Sequence, residues 1–218
     1  MRIFVTGFHR AGSKGIARYM AKKNNLPYIE EHSIGLWDYR RVTALIDGFV
    51  HNVRTNKLDF YPEIKEGFVL QCPFLSHKIQ DLVWLGKVYW ADRNYINIIT
   101  SMKNGKFKSD ALFIIKQFHD EFPDDPYWKS VGDENIEKYF HLKSGEKFPV
   151  IKTSANNWLR YYKLVIDVKK HFLETEFKGR AEVIKLENLP IYDSSKHLSG
   201  KKPLTKGELD AIERTNNG

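Results

Sequence analysis

Cysteine is nearly absent: Cys72 stands alone among 218 residues. That excludes an internal disulfide framework and any metal site built from several thiolates. Long apolar runs are missing too. No stretch approaches the ~20 consecutive apolar residues that a membrane helix needs. The run Ile3-Phe4-Val5 behind Met1-Arg2 is too short to be a signal-peptide core. There is no internal repeat and no low-complexity segment. Acidic charge is in deficit, with 27 Asp plus Glu against 35 Lys plus Arg and a net charge of +8. An anionic partner follows, whether nucleotide, sulfate or phosphate ester, nucleic acid or membrane surface. These absences together lead us to expect a soluble, cytoplasmic protein in a reducing compartment.

Core-forming residues are plentiful. Hydrophobic residues make up 42% of the chain, with 14 Phe, 11 Tyr and 5 Trp, which excludes a disordered chain. The length suits a single domain over 1–218. Within it, residues 122–158 are expected to be an acceptor-side insertion, mostly loop with one short helix. The tail 194–218, rich in Lys, Ser, Gly and Asn, is expected to be mobile.

Short apolar runs at 2–6, 27–30, 67–71, 87–91 and 181–186 read as strands, several of them buried. Between them lie helical patterns at 14–24, 36–53, 79–85, 95–102, 111–122 and 158–176. Pro73 is expected to stop the third strand. The alternation predicts an α/β fold, three-layer α/β/α with a central, mostly parallel sheet. Such a sheet binds its ligand beyond the carboxyl ends of the strands.

The loop after the first strand is the most specific feature. Ile3-Phe4-Val5-Thr6 leads into Gly7-Phe8-His9-Arg10-Ala11-Gly12-Ser13-Lys14-Gly15, and a helix begins. Glycines at 7, 12 and 15 permit tight turning, and the opening amides of the helix point at whatever the loop holds. A phosphate or sulfate is the natural occupant; a plain glycine-rich turn is the other reading. The spacing is not that of a nucleotide-triphosphatase loop, because Ser13 stands in the Lys position and Lys14 in the hydroxyl position. A second pair lies further on: Arg93 at the end of the run Val88-Tyr89-Trp90-Ala91-Asp92, and Ser101 eight residues later. With a helix between them, the two side chains fall near one face. The planar Arg fork suits a phosphate.

The loop with Arg10 before Ala11-Gly12-Ser13, the Arg93–Ser101 pair, and the late segment from Trp158 to Glu187-Asn188-Leu189 resemble the sulfotransferase family over residues 1 to about 190. The resemblance implies a fold like that of P-loop nucleoside triphosphate hydrolases. It also implies 3′-phosphoadenosine 5′-phosphosulfate (PAPS) as donor, 3′,5′-adenosine bisphosphate (PAP) as product, and no metal. On this likeness, Ala11, Gly12, Ser13, Lys14 and Gly15 cradle the 5′-phosphate, while Arg93 and Ser101 hold the 3′-phosphate. Arg10 stabilises charge on the bridging oxygen. The base is open: Glu31 is preferred over Glu30, with His32 as helper and His77 as a secondary candidate. Glu30-Glu31 can equally be a solvated turn and His77 a surface or capping residue. Gly200-Lys201-Lys202 with Lys206-Gly207 resembles a Lys-Gly element near the donor's 3′-phosphate; a solvated tail is the other reading.

His9 beside the loop is a donor contact or a packed residue, and Cys72 a small buried apolar side chain. The remaining histidines show no metal-ligand spacing. The acceptor is expected to be a small molecule or glycan, met by residues 36–60 and 122–158. Two rival functions stay open. Asp92, ending an apolar strand, would hold magnesium in a kinase using Mg-ATP. The charge and the aromatics would also serve a non-enzymatic nucleic-acid binder, although no RNA or DNA module is recognisable.

Overall fold

The computed structural model describes residues 1–31, 42–55, 57, 67–105, 108–131, 155–193 and 199–213. Strands β1 (Arg2–Gly7), β2 (Tyr28–Glu30), β3 (Phe68–Gln71), β4 (Lys87–Asp92) and β5 (Glu182–Lys185) form one sheet in the order β2-β3-β1-β4-β5. Every pairing is parallel. Helices α1 (Ser13–Asn24), α2 (Val42–Arg54), α3 (Ile79–Leu85), α4 (Tyr95–Asn104), α5 (Lys108–Glu121), α6 (Tyr127–Val131), α7 (Ala155–Glu174) and α8 (Lys206–Glu213) accompany it. The fold is therefore α/β, an all-parallel sheet flanked by helices, compatible with a three-layer α/β/α sandwich. Among the described residues no helix is long and apolar enough to cross a membrane.

The central strands are largely apolar because both of their faces are covered. Residues 3–7 of β1, all of β3, and Val88 to Ala91 of β4 are buried. Phe4 meets Phe68 edge to face at 5.6 Å, and Phe8 meets Trp90 at 5.4 Å. The edge strand β5 is wetter, with Val183 46% exposed. Helix α1 turns Ile16, Ala17, Met20 and Ala21 inward and stops at Asn25, whose left-handed φ of 51° lets its amide close on Ala21 O and Lys22 O. Pro73 ends β3 as expected and opens a 3-10 turn over Pro73–Lys78. Below, α5 and α7 share an aromatic cluster in which Phe122 stacks on Phe172 at 4.7 Å.

Register places the functional edge. Val5 lies opposite Gln71, Gly7 opposite Ala91, Glu30 opposite Gln71 and Asp92 opposite Lys185. The carboxyl ends of all five strands thus open on one side. From β1 the chain leaves toward β2, whereas β3 and β4 hand on to the opposite side of β1. The loops part there, where such sheets hold ligands. Of the segments expected to meet the acceptor, 36–60 and 122–158, residues 36–41, 56, 58–60 and 132–154 lie outside the described residues, and α6 falls within the second. Of the tail expected from 194 onward, residues 199–213 are described and they pack. Ile212 of α8 is 1% exposed, Lys103 pairs with Glu208 at 2.7 Å, and Asn104 trades hydrogen bonds with both backbone polar groups of Lys202.

Candidate anion-binding site

The loop is shaped by three left-handed residues. Gly7 has a φ of 111°, and a methyl group on it would stand 2.5 Å from Ala91 O, so only glycine keeps β1 and β4 in register there. Phe8 N donates to Ala91 O at 3.1 Å and Ala11 N to Phe8 O at 3.2 Å, which closes the turn. Arg10 follows with a φ of 64°, a conformation that costs a non-glycine residue about 1–2 kcal/mol. Gly12, φ 84°, precedes α1 and lets Leu186 pack where a side chain would be. Gly12 at the N-cap has no side chain to cap α1, so the amides of the first turn are suited to an anion. Ser13 is buried and its hydroxyl accepts from Gln71 Nε2 at 3.1 Å, leaving its own proton to donate.

Basic groups converge beside that loop. Arg93 follows Asp92, whose carboxylate accepts from the Arg93 amide at 2.7 Å. Its side chain is only 2% exposed and stands 3.7 Å from the Glu187 carboxylate. Nε and Nη2 are buried, and neither has a hydrogen-bond partner among the described residues. Leaving such donors unmade is costly, about 1–3 kcal/mol each and more when charged. Ser101, one turn before the end of α4, accepts from Lys201 Nζ at 3.1 Å. Burial lowers the Lys201 ammonium below its ordinary value, and the charges of Arg93 and Arg10 lower it further. The Arg10 guanidinium reaches the same place: a methyl group on Gly105, at the end of α4, would stand 2.6 Å from its Nη2. Four residues distant in sequence, Arg10, Arg93, Ser101 and Lys201, thus face one region.

The candidate bases separate. Glu30 is clasped by Lys14 at 2.8 Å and Arg18 at 2.9 Å. The Lys14 hydrogen bond, reinforced by Arg18, holds its carboxyl below the usual range. That pairing also turns the Lys14 side chain toward β2, so Lys14 offers the loop only its amide. Glu31 turns the other way: its Oε2 is buried, and its charge reaches Cys72 and Lys169. His32 lies outside the described residues. His77 is in the core, edge-on to Phe118, where burial lowers its imidazole to about 3. Cys72 is 1% exposed, and burial raises its thiol well above the ordinary value. Asp92 is partly desolvated, which raises its carboxyl, with Glu187 nearby adding to the effect. Among the described residues no group of three or more His, Cys, Asp or Glu could hold a metal.

Two residues of this region carry weak signals in the sequence. Lys201 belongs to a polar tail whose resemblance to a Lys-Gly element is faint, and docking of that tail against α4 brings it to Ser101. Lys169 sits on the inward stripe of α7, with Tyr162, Val165, Ile166 and Phe172. A lysine at that spacing is the available clue. Taken together, the fold and the site define an α/β protein with basic side chains gathered at the carboxyl edge of its sheet. No protein-family model matches the chain, and no curated protein is significantly similar to it.

Proposed function

We propose that this protein is a sulfotransferase, moving a sulfuryl group from PAPS to a hydroxyl or amine acceptor on a P-loop-like scaffold. The buried Arg93 guanidinium carries the proposal, because two of its donors have no hydrogen-bond partner among the described residues and suit a phosphate dianion within reach of Ser101 and Lys201. In this scheme Arg93, Ser101 and Lys201 hold the 3′-phosphate. The amides from Gly12 to Gly15 and the Ser13 hydroxyl hold the 5′-phosphate, with Ala11 completing the turn. Arg10, strained by its left-handed backbone, swings its guanidinium from Gly105 to the bridging oxygen as the S–O bond breaks. Glu31 serves as the base in this scheme, while Glu30 is held by Lys14 and Arg18. The acceptor is a small molecule or glycan, and the chemistry calls for no metal.

Calorimetric titration with PAP, beside ATP with magnesium, tests this. Micromolar PAP binding, indifferent to magnesium and weakened at least tenfold by Arg93→Ala, is expected. Asp92 supports a second reading, a kinase, since its carboxylate ends β4 where a magnesium ion would sit. Silence with PAP and binding of Mg-ATP that Asp92→Ala abolishes would establish that alternative. Silence with both, and salt-sensitive retention on nucleic acid, would favour a non-enzymatic binder.

A further inference from the structure

Lys169 is fully buried on the inward stripe of α7, a position that packing alone would fill with an apolar side chain. Burying an ammonium costs several kcal/mol unless it is well hydrogen-bonded. Here Nζ lies 2.7 Å from Gly7 O, 3.0 Å from His9 Nδ1 and 3.2 Å from Pro73 O. We propose that Lys169 is a positioning residue of the anion loop. Its ammonium ties the start of that loop to the β3 end, and fixes His9 in the tautomer that carries its proton on Nε2.

The count of hydrogens makes the case. An ammonium has three N–H bonds and meets three acceptors. A neutral amine has two N–H bonds and a lone pair, so one contact would have to supply a hydrogen. Backbone carbonyls cannot do so, and only His9 Nδ1–H could. The charge on Lys169 and the tautomer of His9 are therefore one choice, not two. His9 itself stays neutral: burial, then the charges of Lys169 and Arg10, push its imidazole well below the ordinary value. Its ring is braced edge-on by Phe74 at 4.6 Å, so little but the tautomer is left to vary.

Ionisable groups surround the pair on every side. Arg10 comes from the loop, Glu31 from the end of β2, Cys72 from the end of β3 and His77 from the 3-10 turn. Burial lowers the Lys169 ammonium well below its ordinary value, and among these groups Cys72 and then Glu31 oppose that shift. As pH rises, Lys169 loses its proton earlier than an exposed lysine would, and His9 must move its hydrogen to Nδ1 to keep the contact.

Nitrogen-15 NMR of the full chain with labelled histidine reads the tautomer directly, with His9→Gln identifying the signal. The expected spectrum has His9 protonated on Nε2 near neutral pH and switching at alkaline pH. Lys169→Met should lose that preference, and Lys169→Arg, whose charge does not titrate, should keep it without an alkaline transition. The link to function rests on the sulfotransferase reading: Lys169→Met should bind PAP at least tenfold more weakly, with Lys169→Arg largely restoring affinity. A proton on Nδ1 in the wild-type protein at neutral pH, or a tautomer indifferent to Lys169→Met, would overturn the proposal. Should Lys169→Met fail to fold, the wild-type spectrum and its alkaline titration still decide. If the wild-type protein binds no PAP, the functional reading fails while the tautomer result stands on its own.

Discussion

Arg10 and Gly105 set the most local constraint on the site. Arg10 has a left-handed φ of 64° without being glycine, so its backbone is strained, and its guanidinium rests where a side chain at 105 would be. Gly105 itself has an ordinary φ of −85°, which alanine adopts freely. The obstacle to Gly105→Ala is thus the far end of a flexible side chain together with a 3.0 Å approach to Ser101 O. Stability should stay within about 1 kcal/mol of wild type, because reduced freedom of the unfolded chain offsets the displaced contact. Affinity for PAP should nevertheless change several-fold, since Arg10 has to move. Thermal melts and titration calorimetry on the one variant check both halves. Unaltered affinity would mean that Arg10 is not part of the pocket.

Individual elements differ in how far the sequence discloses them. The five strands are legible as short apolar runs because both faces of the central ones are buried, and Gly7, Gly12 and Pro73 punctuate them for steric reasons. Arg93 and Ser101 are legible from spacing, being joined by one helix. Lys169 is not, because a periodicity that counts apolar residues passes over a charge in the stripe. The clasp of Glu30 by Lys14 and Arg18 bridges separate elements, so neighbours in sequence give no hint of which carboxylate is neutralised. The 3-10 turn after β3 hides a further property. His77 titrates at about 3 in the folded protein because it is buried. Above its unfolded value of about 6.5 neither state holds the extra proton, while below it only the unfolded chain does. Stability should therefore fall by about 1.4 kcal/mol per pH unit on account of His77 between roughly pH 6.5 and 3. His9, shifted the same way, adds to the slope. His77→Leu, which replaces a buried imidazole by an apolar side chain of similar size, should flatten the acid limb. Urea melts across that range measure the slope, and an identical slope in the variant would place His77 in solvent.

At the scale of the whole molecule, an excess of eight positive charges is in part gathered at one edge of the sheet by chain segments that start far apart. Residues 199–213 matter most here, because α8 and the Lys103–Glu208 pair hold Lys201 against Ser101. The cost of that gathering is visible in Lys201, whose ammonium is lowered by burial and by repulsion from Arg93 and Arg10. An anion bound among these groups reverses the repulsion and favours the charged form, so the Lys201 ammonium rises toward or above its ordinary value on binding. By linkage, PAP binding should then take up protons in alkaline buffer, at pH values below the ordinary lysine range. Calorimetry at one alkaline pH, in buffers of different ionisation enthalpy, measures the protons directly. Uptake should shrink as the pH falls and Lys201 becomes charged in both states. In Lys201→Arg, whose charge does not titrate, it should be smaller at every pH while binding persists. Uptake unchanged in that variant would assign the proton to another group and remove Lys201 from the pocket.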